Sequence, residues 1–336
     1  MKKFLIPGIL LLTLFISLVG GIFWWKWNSR PISDDKTPIR IVIPRGRSAA
    51  QVAQELYRKG LIRSPLVFKF YVQLTGKAKN IQAGEFQLSP NLSIPEILEM
   101  FSKGPLQLWV TVPEGLRREE IVGRFIEGLE MQGIQAETFG QEFLESSEGK
   151  EGFLFPDTYL FPRNATASAV IKVMNQTFEK KIDEDLRGAI AKSDFTLEEI
   201  ITLASIIERE TKTSEERPIV AGIFMNRIDI GMGLQADATV QYAIASSKCK
   251  SNSKSECSWW PILTKEDLQI DSPYNTYKFK GLPPLPIANP GLSSIKAAIY
   301  PEDSDYFYYL HDPDGKIHYA KTLSEHNENV RKYLGK

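Results

Sequence analysis

Cysteine and histidine are both scarce. The 336 residues hold two cysteines, Cys249 and Cys257, and three histidines, His311, His318 and His326. Two thiols with no histidine or third cysteine beside them make a poor structural zinc site, which wants four protein ligands. The histidines come too late and too sparsely for a serine–histidine triad. Excess charge of either sign is also missing: lysine plus arginine and aspartate plus glutamate each total 41, for a formal net charge of zero. No basic footprint therefore argues for nucleic acid as a partner. Nor does a Schiff-base lysine accompany a phosphate-cradling loop, as a pyridoxal-phosphate enzyme would need. No metal and no cofactor is expected. What the chain does have is 43% hydrophobic residues, enough for a sizeable core and two folded units.

The start of the chain is its most distinctive stretch. Lys2 and Lys3 precede an uncharged run from Phe4 to Trp25, followed by Lys26 and Trp27. A spanning helix needs about 20 apolar residues, and tryptophans at its end suit a membrane interface. This predicts a tail over 1–3, a transmembrane anchor over 4–25 and a polar linker over 26–38. It places the protein in a bacterial cytoplasmic (inner) membrane, single-pass, with its bulk on the periplasmic side. Lys26 and Arg30 nearly balance Lys2 and Lys3, and a cleaved signal peptide is the alternative. In an oxidising compartment Cys249 and Cys257 can close a small polar loop; a disulfide is the first candidate there and free thiols the second.

Folded structure is predicted to start near Ile39. Ile39-Arg-Ile-Val-Ile-Pro-Arg-Gly alternates as a strand closed by a Pro-x-Gly turn, and Ser48 then opens a helix ending at Gly60. The same grammar returns in Leu108-Trp-Val-Thr-Val-Pro-Glu-Gly and the helix after it, a weak internal repeat. Between the copies lie a helix near 64–74, a strand at 84–88 and a helix opened by Ser93 with Glu96 completing a capping box. Towards the end, 306–310 and 317–320 flank Asp312-Pro-Asp-Gly, the pattern of a β-hairpin. The fold class is α+β, with one larger domain from about 105 onward.

Chemistry centres on the helix opened by Thr196, whose partner Glu199 forms a second capping box. Ile200, Leu203, Ala204 and Ile207 make one apolar face, and Leu197, Ile201 and Ala204 set apolar neighbours beside Glu208. A desolvated carboxyl holds its proton to higher pH, as a glycosidic general acid must. The blander reading is an ordinary ion pair of Glu208 with Arg209, Lys212 or Arg217. A second helix is predicted from Ser214 to about Ile230. Beyond it Gln235, Asp237, Thr239 and Tyr242 fall in one short, irregular stretch whose hydroxyl, amide and ring groups suit a sugar. Taken singly they are ordinary turn and capping residues.

Leu203-Ala-Ser-Ile-Ile-Glu-Arg-Glu-Thr, followed by Ala221-Gly-Ile-Phe-Met-Asn-Arg and Leu234-Gln-Ala-Asp-Ala-Thr-Val-Gln-Tyr, resembles the YceG-like endolytic murein transglycosylase family. Phe155-Pro-Asp-Thr-Tyr, Ser272-Pro-Tyr-Asn-Thr-Tyr and Gly281-Leu-Pro-Pro-Leu-Pro-Ile-Ala-Asn-Pro-Gly extend the likeness over nearly the whole chain. The resemblance implies that Glu208 is the catalytic acid/base. It further implies that Gln235, Asp237, Thr239, Tyr242, Tyr274, Asn275 and Tyr277 line the glycan site, and that 39–104 form a LysM-like subdomain ahead of a catalytic domain over 105–336. Two departures stand out: Ala238 where the family commonly has proline, and the cysteine-bearing segment 246–260, an atypical insertion.

The implied reaction is non-hydrolytic cleavage of the β-1,4 bond between N-acetylmuramic acid and N-acetylglucosamine, leaving a 1,6-anhydromuramoyl end. Glu208 would protonate the leaving oxygen and then take the proton of the sugar's own 6-hydroxyl. The role implied is termination of nascent glycan strands, with peptidoglycan synthases (penicillin-binding proteins) as partners. A hydrolytic muramidase using Asp237 as a second carboxylate, and a non-catalytic wall-binding scaffold, are the rival readings.

Overall fold

In the computed structural model, residues 5–44, 46–77, 81–249 and 258–335 are described. They form two compact units. One runs to Leu108 and takes in Leu160–Asn164; the other comprises Trp109–Tyr159 and the chain from Ala165 onward.

In the first unit, α1 (Leu5–Ser29) precedes β1 (Ile39–Ile43), α2 (Ala49–Arg58), α3 (Pro65–Thr75), β2 (Gly84–Leu88) and α4 (Ile94–Lys103). The strands pair antiparallel with Ile41 opposite Phe86. Alternation along β1 turns Ile41 and Ile43 into a core shared with Leu56, Phe68 and Phe101. Both expected helix starts are present: Ser48 forms a capping box with Gln51, and Ser93 with Glu96.

The N-terminal expectation needs correction. The tail over 1–3 lies outside the described residues, and among the described residues no helix is long and apolar enough to cross a membrane. A transmembrane anchor over 4–25 is therefore not supported, and the single-pass inner-membrane location read from it falls with it. The last two turns of α1 carry Lys26, Asn28 and Ser29, and the side chains of Asn28 and Ser29 donate back to the carbonyls of Trp24 and Trp25. The end of α1 is also engaged with protein: Trp25 stacks on Tyr71 at 6.0 Å, and the Arg63 guanidinium lies over the Trp27 ring at 5.2 Å.

β3 (Gln107–Thr111) and β4 (Thr158–Pro162), which pair with each other, each have residues in both units; in the second unit α5 (Arg118–Gly128) and α6 (Gly133–Ser146) follow β3, and α7 (Ala167–Lys181) follows β4. There follow α8 (Glu184–Ile190), α9 (Leu197–Glu210), α10 (Glu216–Asp229), α11 (Asp237–Lys248) and α12 (Leu292–Ile299). The unit ends in the predicted hairpin of β5 (Tyr308–His311) and β6 (Ile317–Ala320), then α13 (Leu323–Asn329). α9 is the axis of this unit. It packs against α10, α11 and α12, so Ile200 to Ile207 are buried all round the helix and not only along the one face that the periodicity marks. α10 stops as expected before Gly231, whose φ of +64° suits the left-handed end of a helix.

The stretch expected to be irregular is helical from Asp237 on. Its N-cap, Ala236, has no side-chain acceptor; Glu210, from α9, accepts from the Ala238 N–H at 3.4 Å. Thr276 accepts from the Gln235 N–H through its carbonyl at 3.1 Å and from the Ala236 N–H through its hydroxyl at 3.0 Å. The helix is nucleated by a loop distant in sequence, so no local capping signal announces it. Cys249 closes α11, whereas Cys257, the other half of the expected disulfide, lies outside the described residues.

Candidate active site

Thr196 and Glu199 form the expected capping box and fix where α9 begins. Three turns on, Glu208 leaves the helix with its side chain only 7% exposed. Its Oε1 accepts from Nη2 of Arg217, in the first turn of α10, at 2.8 Å. Its Oε2 accepts from the backbone N–H of Gly291, the N-cap of α12, at 2.9 Å. A carboxylate at a helix N-terminus meets the positive end of the helix dipole as well as an unpaired N–H. Burial and ion pairing, rival readings of Glu208 in the sequence, thus coexist in the fold.

The residues that bring Gly291 there explain the family-like motifs on either side. Ser205, one turn before Glu208, bonds the Thr202 carbonyl and receives the Ile287 N–H at 3.0 Å. Asn289 is fully buried. Its backbone bridges Leu116, its Oδ1 accepts from the Leu154 N–H, and its amide donates to the Leu116 carbonyl and to Glu151. The Gly115 N–H donates to the Asn289 carbonyl at 2.9 Å. Loop 286–291 and the Pro113-Glu114-Gly115 turn are therefore laced together.

That lacing delivers a second carboxylate, absent from the sequence-derived candidates. Glu114 Oε2 lies 3.5 Å from the same Arg217 Nη2 that holds Glu208, and its side chain is 47% exposed. Burial, and then the charge of Glu208, push its carboxyl above the usual range. A Cβ at position 291 would overlap the Glu114 carboxylate, so a side chain there would push that flexible carboxylate aside. A faint signal did exist in the sequence: the Pro-x-Gly turn occurs twice, with arginine as x in the first copy and Glu114 in the second.

Glu151 anchors the network from behind. It is wholly buried, and desolvation pushes its carboxyl up to about 8. Oε1 accepts from Asn289 Nδ2 at 2.6 Å and from the Arg118 N–H at 3.1 Å, while Oε2 has only a 3.4 Å contact to the latter, leaving Oε2 as the natural place for a proton. Because the folded value lies above the unfolded one, this group's stabilisation is complete below about 4.5 and is lost as pH rises towards 8. The melting temperature of Glu151→Gln, whose amide can mimic the protonated acid, is expected to fall less between pH 5 and 8 than that of wild type. The gap should amount to at most a few kcal/mol, on the order of 1.4 kcal/mol per pKa unit. Parallel slopes in the two proteins would show that Glu151 titrates normally.

A wall of rings and guanidinium groups flanks the acid. Arg117 lies with its guanidinium 4.1 Å from the centre of the Tyr242 ring and 4.7 Å from that of Trp259. Tyr274 packs beside Tyr242 at 4.8 Å. Arg209, next to Glu208 in the chain, lies over Trp260 at 3.8 Å, and the Trp260 N–H donates to Glu120. The end of the atypical 246–260 insertion is thus built into this wall through its two tryptophans.

The other sequence candidates divide. The Tyr277 hydroxyl donates to Asp237 at 2.7 Å, and both side chains are accessible. Thr239 and Asn275 are buried and internally satisfied: the Thr239 hydroxyl meets the Ala236 carbonyl and Thr276, and the Asn275 amide donates to the carbonyls of Leu268 and Ile270. They hold the loop that presents Tyr274 and Tyr277. Gln235 takes a strained φ of +49° where its N–H joins Thr276.

A model of the YceG-like family matches residues 41–332. The endolytic murein transglycosylase of Bacillus subtilis (strain 168) is 33% identical over 342 residues, covering 94% of this chain and 91% of the relative. The endolytic murein transglycosylase of Streptococcus pneumoniae serotype 2 is 28% identical over 375 residues; the match takes in 99% of this chain and 65% of the relative's length. The 2.6 Å crystal structure of a yceG-like protein from Listeria monocytogenes superimposes with a TM-score of 0.56 at 31% identity, covering 87% of this chain and 99% of that one. With the family's pattern spread over both units and the motif around Glu208 intact, the chain belongs to the YceG-like family.

Proposed function

We propose that this protein is a lytic transglycosylase that cleaves peptidoglycan strands internally. It breaks the β-1,4 bond between N-acetylmuramic acid and N-acetylglucosamine and closes the 6-hydroxyl on C1 to leave a 1,6-anhydro end, with Glu208 as the carboxylate on which proton transfer depends. The observation that carries this reading is the setting of Glu208: a carboxylate at the end of a buried helix, held between a guanidinium and a helix N-terminus, in a chain whose relatives are named for this activity. Holding a charge there is costly unless both oxygens are met by donors, and a wall-binding scaffold would have no use for it.

Tyr274, Tyr277 and Asp237 are the proposed glycan contacts, since rings and an accessible carboxylate suit the faces and hydroxyls of a sugar. The first unit is the proposed LysM-like wall-binding module, Cys249 and Cys257 a proposed disulfide, and peptidoglycan synthases the proposed partners. Because the nucleophile is the substrate's own hydroxyl, no water is consumed. Mass spectrometry of uncrosslinked glycan strands after incubation with the purified protein tests this directly. Anhydro-ended fragments, lighter by one water, are expected. Reducing-end fragments would replace the reading with hydrolysis, and intact strands would favour the scaffold.

A further inference from the structure

Glu208 accepts from a full N–H donor at each oxygen, from Arg217 at 2.8 Å and from Gly291 at 2.9 Å. That arrangement suits a carboxylate ready to take a proton, because a protonated oxygen would face one of those donors with its own hydrogen. The reaction nevertheless needs an acid first, since an alkoxide is a poor leaving group. Glu114 shares the same Arg217 nitrogen, and its side chain is 47% exposed where that of Glu208 is 7% exposed. The Arg217 guanidinium faces both carboxyl groups, and the 3.5 Å approach of Glu114 is looser than the 2.8 Å bond to Glu208, so of the two it is Glu208 that the guanidinium holds as a carboxylate. The turn that carries Glu114 is fixed by the Gly115–Asn289 and Leu116–Asn289 backbone bonds, and its carboxylate lies against Gly291, whose N–H holds Glu208.

We propose that Glu114 is the general acid of the site: it hands the proton to the leaving glycosidic oxygen while Glu208, as carboxylate, removes the proton of the 6-hydroxyl. This rests on the transglycosylase reading above and divides between two residues the work that reading assigned to one. The bond between C1 of N-acetylmuramic acid and the glycosidic oxygen breaks with its electron pair going to that oxygen, which receives the Glu114 proton. The 6-oxygen forms its bond to C1 and loses its proton to Glu208. One proton has then moved from Glu114 to Glu208 within the pair that Arg217 bridges, and its return resets the site without water or any other reactant. Burial of Glu114 and the nearby charge of Glu208 both favour its protonated form.

Dependence on the leaving group is the readout that a merely structural role for Glu114 would not move. Glu114→Gln should cleave glycan strands about 10²- to 10⁴-fold more slowly than wild type, the usual worth of a general acid. On a GlcNAc–MurNAc disaccharide with a 4-nitrophenyl group on its muramic acid, which leaves without protonation, it should stay within about threefold, since no acid is needed there. Glu208→Gln should be inactive on both, and Glu114→Asp should recover part of the rate on strands. The proposal is overturned if Glu114→Gln cleaves strands at the wild-type rate, or loses both substrates equally while its melting temperature is unchanged. Should Glu208→Gln instead remain active on strands, it is the underlying reading that fails.

Discussion

Glu208→Gln is expected to stop the formation of anhydro-ended fragments, with a loss of at least about 10³-fold when proton transfer by a positioned carboxyl is removed. The amide matches the carboxylate in size but cannot take a proton from the 6-hydroxyl. It also has one acceptor where the wild type has two, and the two donors that meet Glu208 come from opposite sides, Arg217 Nη2 and the Gly291 N–H. Whichever way the amide is turned, its NH₂ group opposes one of them. A stability loss of about 1–3 kcal/mol, the cost of one unmet buried donor, should therefore accompany the loss of activity. The two effects separate experimentally: single-turnover product analysis by mass spectrometry reads the rate, and thermal melting of the same sample reads the fold. A variant that melts normally and still yields anhydro ends at the wild-type rate would remove Glu208 from the chemistry.

Arg117→Leu should produce the largest change in stability. The Arg117 side chain is 1% exposed; its Nε lies 3.2 Å from Glu119, its Nη2 donates to Ser246 at 2.9 Å, and its plane is held between Tyr242 and Trp259. Removing one partner of a buried pair typically costs about 3–5 kcal/mol, because the other charge stays behind unmatched. Here Glu119 is left with only its looser 3.6 Å contact to Arg118, and Glu151 loses a nearby positive charge as well. A fall in melting temperature on the order of 10 °C is expected for a domain of this size, together with a change in tryptophan emission as Trp259 loses its stacking partner. Arg117→Lys keeps the charge but not the planar fork, so it should fall between the two. A shift of less than about 2 °C for Arg117→Leu would mean that the ring wall is organised without it.

Much of both units was legible in the sequence because the signals are local. The capping boxes at Ser48, Ser93 and Thr196 join residues three apart, the 308–320 hairpin is announced by its turn, and Glu208 stands out by the apolar residues one and two helical turns before it. α1 shows the limit of a composition argument: the sequence has a long uncharged run, yet among the described residues no helix is long and apolar enough to cross a membrane. Thr239 and Asn275 show the limit of a motif: both belong to family-like patterns, yet their polar atoms are spent on backbone carbonyls and a buried hydroxyl.

The sequence by itself determined where α9 starts, that Glu208 stands at its end beside apolar neighbours, and to which family the chain belongs. Only the tertiary structure decided what Glu208 meets: Arg217 rather than Lys212, the Gly291 N–H at the start of α12 and, through the shared Arg217, Glu114 from a turn far earlier in the chain. The reason is physical. Caps and helix faces are set by neighbours within a turn or two, so they leave a periodic trace. The charge cluster exists only because helices and loops far apart in sequence are packed around α9 and laced by Ser205 and Asn289, and packing of that kind has no period to read.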